Sequence, residues 1–229
     1  MRKNIAVVFG GKSCENEISI ITGVMAVNLL DPERYAAFPV YLSQAGDFYT
    51  GAALSDASSF RGEGYLQKGK KALFCGQNLC TVHKNKIKTV AKIDCVLNCC
   101  HGMGGEDGAL SSLLDLNGIP NASPDAAPSA LFMDKTLTKL VAKALGVKTA
   151  PYFRIGEEEY RKRGAFALRV IEERLGYPVI VKPARQGSSI GITVAEDRAR
   201  LVAAIQAGFA YDDLLIAEKY FERRREINC

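Results

Sequence analysis

The run Asn4-Ile5-Ala6-Val7-Val8-Phe9, followed by Gly10-Gly11-Lys12-Ser13, decides the fold class. Six residues, mostly apolar and ending in a Gly-Gly turn, read as a buried strand rather than as a leader peptide, despite Arg2 and Lys3 ahead of it. Ile18, Ile21, Met25 and Leu29 then recur at helical spacing, so a helix follows with that stripe as its apolar face. Tyr35 to Leu42 reads as a second strand, and Asp94 to Cys99 as another, with a leucine-rich helix from Leu110 to Leu116 stopped by Gly118. Strand–helix alternation with loops at strand ends predicts an α/β fold whose first domain is a doubly wound parallel sheet. Between Leu42 and Val90 only short strands are readable, around Phe48-Tyr49, Ala72 to Cys75 and Thr81-Val82.

Ile119-Pro120-Asn121-Ala122-Ser123-Pro124 is turn punctuation and reads as a domain boundary. Beyond it, helices are expected around Leu137 to Ala144 and Ala165 to Leu175. Strands are expected at Pro151 to Arg154, Pro178 to Val181 and Leu214 to Glu218, with Asp197 capping a helix through Ile205. The domains are accordingly read as 1–120, 121–213 and the opening of a third section, 214–229. Glu226-Ile227-Asn228-Cys229 looks like the start of a further strand with no cap or polar tail. The chain is therefore read as truncated, with its last clear strand left unpaired and an exposed edge.

Composition excludes several classes. The 229 residues hold 48% hydrophobic and 24% charged residues and no apolar run long enough to cross a bilayer. The expectation is a cytoplasmic protein without a membrane partner. Seven cysteines without a Cys-x-x-Cys pair, and only two histidines, do not make a zinc site; free and mostly buried thiols are expected. The formal charge of +5 is spread out apart from Arg223-Arg224-Arg225, which argues for solvated faces and against nucleic acid.

Three loops could carry chemistry. Gly10 to Ser19 (GGKSCENEIS) is neither the Gly-x-Gly-x-x-Gly pattern nor a P-loop. There Glu15 either meets a ligand's ammonium or, with Glu17, is a first-turn acid favoured by the helix dipole. His101 to Gly108 (HGMGGEDG) follows a buried strand, where ligands of α/β sheets gather. Glu106 and Asp107 could orient His101 or its backbone, and a purely structural turn is the other reading. Lys182 ends an apolar strand and leads into Gln186-Gly187-Ser188-Ser189-Ile190-Gly191. A cation followed by small residues rich in N–H donors suits a phosphate; the alternative is a plain hairpin turn. Alone, Lys135 reads as a surface helix residue and Glu218 as a strand-end acid. Cys99 and Cys100 point to opposite faces and read as core.

Taken together, VVFGGKSCENEIS, HGMGGEDG, SALFMDK, YPVIVKPARQGSSIGI and LLIAEKYF occur in one order across nearly the whole chain. They resemble the D-alanine–D-alanine ligase family of the ATP-grasp superfamily. The resemblance implies an N-terminal substrate-binding domain followed by the first half of an ATP-grasp fold. It implies joining of two D-alanines through an acyl phosphate, for peptidoglycan precursors, with ATP and magnesium (or manganese) as cofactors. Ligases that join D-alanine to D-lactate or D-serine, and a non-catalytic nucleotide-binding remnant, are the alternatives. By the same resemblance Glu15 takes the ammonium of the first D-alanine, His101 lies at that subsite, and Ser188 completes it; Glu15 and Ser188 would be the catalytic pair. Lys135 and Lys182 would meet the ATP phosphates under Gly187 and Ser189. Glu218, Lys219 and Phe221 would lie at the adenine hinge, and Glu226 at the ribose if one residue is inserted among the arginines.

Lys135 and Lys182 are expected to face one cleft, and Glu15, His101 and Ser188 to converge. Ser111-Ser112 and Asn121-Ala122-Ser123 depart from the family pattern. No residue matches the family's metal-binding acids, so the chain as given is expected to be an incomplete, inactive fragment whose metal ligands lie elsewhere. Small-molecule substrates are the expected partners, and a homodimer through the N-terminal domain is implied as well.

Overall fold

The computed structural model describes residues 2–84 and 86–227. Cys229 and Asn228 therefore lie outside the described residues, and Glu226 and Ile227 stand in no regular element. Contacts divide the chain into two units, Met1–Ala130 and Leu131–Cys229.

The first unit is built on β1 (Lys3–Gly10), which pairs in parallel with β2 (Tyr35–Leu42) on one side and β7 (Cys95–Asn98) on the other. From β2 the sheet continues antiparallel through β3 (Phe48–Thr50), β4 (Lys70–Cys75), β5 (Asn78–His83) and β6 (Lys86–Lys92). Among the strands, parallel pairing is thus confined to β2-β1-β7, and α1 makes the crossover from β1 to β2. The α/β class holds, and the sheet is mixed. β1 is buried on both faces by alternation: Ala6 and Val8 join Leu110, Leu114 and Ile119, whereas Val7 and Phe9 join Tyr41, Leu54 and Cys99. Cys99 and Cys100 fall into these two different clusters.

Helix α1 (Asn16–Leu29) forms where expected, with its apolar stripe turned to the outside. Ile18, Ile21, Met25 and Leu29 are 56%, 53%, 56% and 76% exposed, while Asn16, Ser19 and Gly23 are buried. Small residues let the helix lie close on Phe9: a Cβ at Gly23 would come within 2.2 Å of that ring. Two short 3-10 turns and α2 (Gly64–Lys68) fill the connection from β3 to β4. Helix α3 (Ala109–Leu116) covers the opposite face, and the division between the units falls within α4 (Ala126–Met133).

The segment read as a boundary still belongs to the first unit. Val96 N–H donates to Pro120 O at 2.8 Å, Ala122 N–H to Val96 O at 2.8 Å, and the Ser111 hydroxyl to Pro124 O at 3.1 Å. The division therefore falls ten residues after Pro120.

In the second unit, α5 (Lys135–Ala144) precedes β8 (Tyr152–Gly156) and α6 (Glu157–Leu175), which kinks at Arg163. Then come β9 (Val179–Pro183), β10 (Thr193–Ala195), α7 (Arg198–Gly208) and β11 (Leu214–Lys219). Asp197 caps α7 by accepting from Arg200 N–H. The sheet order is β10-β9-β11-β8, with every pair antiparallel. This corrects two expectations. β11 is an interior strand, paired to β8 from Leu214 to Glu218 and to β9 from Leu215 to Lys219, and it is buried along Leu214–Glu218. It neither ends unpaired nor opens a separate section at 214, because its apolar face, Leu215 and Ala217, packs with Val179, Val181, Leu168, Ile171 and Ile205 into one core. Alternation puts Ile180, Lys182, Ile216, Glu218 and Tyr152 on the other face of the sheet.

Candidate functional site

In the first unit, the loops after β1 and β7 meet because those strands are parallel neighbours. Ser19, one turn into α1, accepts from Gly10 N–H at 2.7 Å and donates to Cys99 O at 2.8 Å, joining the two strand ends. Asn16 Nδ2 donates to Gly11 O at 2.7 Å. Ser13 Oγ accepts from Glu15 N–H at 3.2 Å and donates to His101 O at 2.6 Å. Glu15 is buried at the start of α1. Gly102, at φ +72°, lies against it: an added Cβ would come within 3.0 Å of Glu15 Oε2 and 2.9 Å of Ser13 Cβ. Only glycine suits both that backbone angle and that clearance.

The acids of the second loop organise its backbone. Glu106 Oε2 accepts from Gly102 N–H at 2.6 Å, and Asp107 accepts from Gly104 N–H at 2.8 Å and Ala109 N–H at 3.0 Å. The His101 ring is held by a residue the sequence reading missed: its Nε2 lies 3.0 Å from Thr22 Oγ1. Thr22 is seven residues, or two helical turns, beyond Glu15, and that shared face of α1 was the available signal. The thiol of Cys100, pushed up to about 12 by burial with Cys99 beside it, is not a nucleophile.

In the second unit, three lysines gather around β9 and β11. Lys182 Nζ donates to Glu218 Oε2 at 2.5 Å, and Lys139 Nζ lies 2.7 Å from Glu218 Oε1. Burial works against the Glu218 charge, but the bonds from Lys139 and Lys182 outweigh it and hold the carboxyl below its ordinary range. Lys135 Nζ donates to the carbonyls of Pro183 (3.1 Å), Ala184 (3.4 Å) and Gln186 (2.5 Å), which pins the start of the Gly/Ser loop to α5. Burial, with the Lys182 charge nearby, holds the Lys135 ammonium below its ordinary pKa. Lys139 was not singled out from the sequence, although it stands at i+4 from Lys135 and so on the same helix face.

The loop itself carries unusual backbone. Ser188 and Ser189 have φ of +46° and +60°, consecutive left-handed residues that are not glycine. Arg185 braces its base: the backbone N–H donates to Asp212 Oδ2 at 2.7 Å, and the guanidinium pairs with Asp212 and Asp213. Lys219 Nζ donates to Tyr177 O at 3.2 Å, Phe221 is exposed, and Glu226 is an exposed partner of Arg224 at 2.7 Å. The structure thus brings Glu15 and His101 together in one unit and Lys135, Lys182 and Glu218 together in the other. Among the described residues, no group of three or more His, Cys, Asp and Glu could hold a metal ion. Nor is any described helix long and apolar enough to cross a membrane.

The chain matches a known family. A family model described as D-ala D-ala ligase N-terminus matches residues 4–124, and one described as D-ala D-ala ligase C-terminus matches residues 141–229. A D-alanine–D-alanine ligase of Thermosipho melanesiensis is 36% identical over 99% of this chain and 61% of its own length. That of Caldicellulosiruptor bescii is 36% identical over 98% of this chain and 62% of its own. Among solved structures, D-alanine–D-alanine ligase from Helicobacter pylori superposes with a TM-score of 0.78 at 29% identity, covering 96% of this chain and 67% of that one. The VanG D-Ala:D-Ser ligase from Enterococcus faecalis gives 0.80 at 26%, covering 97% and 64%. The chain spans about 61% of the length of the curated relatives it matches.

Proposed function

Because the chain belongs to the D-alanine–D-alanine ligase family, we propose that it carries the first-substrate loops and the phosphate-facing lysines of an ATP-dependent ligase acting on D-alanine. In this reading the reaction has two steps. A carboxylate oxygen of the first D-alanine attacks the γ-phosphorus of ATP, giving an acyl phosphate and ADP. The amine of the second D-alanine then attacks the acyl carbon, phosphate leaves, and a proton is lost. Such chemistry asks for positioning and for cations around the transferring group.

Glu15 takes the ammonium of the first D-alanine: it is a buried carboxylate at the start of α1, packed against Gly102 where the loops after β1 and β7 meet. His101, tethered through Thr22 and Ser13, lines the same subsite. Lys182 and Lys135 meet phosphate oxygens, with the Gly187-Ser188-Ser189 backbone supplying N–H donors. Ser188 completes the substrate side. Glu218, Lys219 and Phe221 flank the adenine and Glu226 the ribose, while the Glu218 carboxylate itself is engaged by lysines. Magnesium shields phosphate charge in phosphoryl transfer; the described residues offer no ligand set for it. A cytoplasmic role in peptidoglycan precursor synthesis follows from the substrate.

The observation that carries this reading is the buried Lys139–Glu218–Lys182 cluster at the mouth of a Gly/Ser loop, on the sheet face away from the core. The test is dipeptide and phosphate release from ATP, magnesium and D-alanine by this chain continued to the length of its relatives. D-Serine and D-lactate are offered as competing second substrates, the former because a D-Ala:D-Ser ligase is among the structural neighbours. D-Alanyl-D-alanine as the main product supports the proposal; phosphate release that ignores D-alanine contradicts it.

A further inference from the structure

Glu218 sits between two lysines that differ in kind. Its side chain is 9% exposed, with one oxygen on Lys139 and the other on Lys182. Lys139 is the more enclosed of the two, at 13% exposure against 24%. Its ammonium also donates to Ala150 O at 3.2 Å and lies 5.3 Å from the centroid of the Tyr152 ring. A carboxylate, a carbonyl and an aromatic face thus hold it from three directions. Lys182 stands at the end of β9, one residue before the chain turns into the Gly/Ser loop. Lys135, one turn earlier on α5, directs its donors at the carbonyls of Pro183, Ala184 and Gln186 and does not bond Glu218.

This asymmetry has a consequence for ligand binding. An ammonium that leaves a buried carboxylate for a phosphate strands that carboxylate unless a second cation stays behind. We propose that Lys139 is a positioning residue, keeping Glu218 ionised and in place while the Lys182 ammonium exchanges Glu218 for a nucleotide phosphate. The proposal rests on the nucleotide reading given above and adds to it a residue that touches neither substrate. Without Lys139, Lys182 becomes the sole counter-charge of Glu218, and a phosphate must compete with a buried carboxylate for it.

Two measurements on the 229-residue chain test this. The first follows the Glu218 carboxyl by carbon-13 NMR across acid pH and needs no ligand. The titratable groups around Glu218 are Lys182 of β9, Lys139 and Lys135 of α5, and Tyr152 of β8. Lys182→Met imitates departure of the exchanging lysine. Glu218 is expected to keep titrating below the ordinary glutamate range in that variant, and to rise above it when Lys139→Met is added. A rise in Lys182→Met alone would overturn the proposal, and that variant leaves Lys139 and its packing in place.

The second measurement titrates ATP with magnesium. Lys139→Met is expected to weaken binding by about ten-fold, the size of an ordinary coupling between contacting residues. Lys139→Arg, which restores the charge, is expected to recover it. If Lys182→Met weakens ATP and Lys139→Met does not, the proposal fails while the nucleotide reading stands. If neither the unsubstituted chain nor the chain continued to the length of its relatives binds ATP, the nucleotide reading itself falls, and the exchange with it.

Discussion

Ser13 donates its hydroxyl to the main-chain carbonyl of His101 at 2.6 Å, across 88 residues of sequence. That bond joins the loop after β1 to the loop after β7 and sets the distance between Glu15 and the His101 ring. Ser13→Ala would leave a part-buried carbonyl without this donor. The expected cost is about 1 kcal/mol of stability, read as a lowered urea midpoint. D-alanine binding should fall more than stability does, because the loops lose register. A variant with unchanged affinity for D-alanine would remove Ser13 from the site.

Gly23 decides how α1 lies on the sheet. Alanine in a helix interior normally gains about 1 kcal/mol over glycine. Here the new methyl would meet the Phe9 ring at 2.2–2.4 Å. Overpacking of that kind costs about 1–3 kcal/mol, so Gly23→Ala is expected to destabilise despite its better propensity. A melting temperature at or above that of the unsubstituted chain would show that α1 does not approach Phe9 so closely.

Acid should act through Glu218. Its folded-state pKa lies below the ordinary value because the two lysine bonds outweigh burial. A depressed carboxyl contributes stability that is fully present above its unfolded pKa, about 4.3, and that is lost as pH falls through the folded value. Glu218→Gln removes this contribution at neutral pH and leaves the enclosed Lys139 without its counter-charge. The loss should be about 3 kcal/mol at pH 7, shrinking toward zero as the pH drops below the folded pKa. Denaturant melts at pH 7 and at successively lower pH check this; a difference that stays constant down to acid unfolding would place the Glu218 contribution outside its charge.

Much of the fold was legible because burial leaves a periodic trace. Tyr35–Leu42 matches β2 end to end, since an apolar run between turn signals fits a doubly covered strand. β6, Lys-Ile-Lys-Thr-Val-Ala-Lys, was missed because it is an exposed edge whose lysines mask the pattern. The apolar stripe of α1 announced a helix but not its packing face, since the helix packs through Ser19 and Gly23, residues that carry no hydrophobic signal. In the candidate site, glycine-rich loops and strand-end charges were visible as motifs. Thr22 and Lys139 were not, because each reaches its partner through tertiary geometry: His101 lies 79 residues from Thr22, and Glu218 belongs to another strand.

The most direct test of the central claim is a paired titration of the 229-residue chain with ATP–magnesium and with D-alanine, repeated in Lys182→Met and Glu15→Gln. Lys182→Met is expected to weaken ATP at least about ten-fold while leaving D-alanine unchanged, and Glu15→Gln to do the reverse. ATP affinity that is indifferent to Lys182, or D-alanine affinity that is indifferent to Glu15, would contradict it.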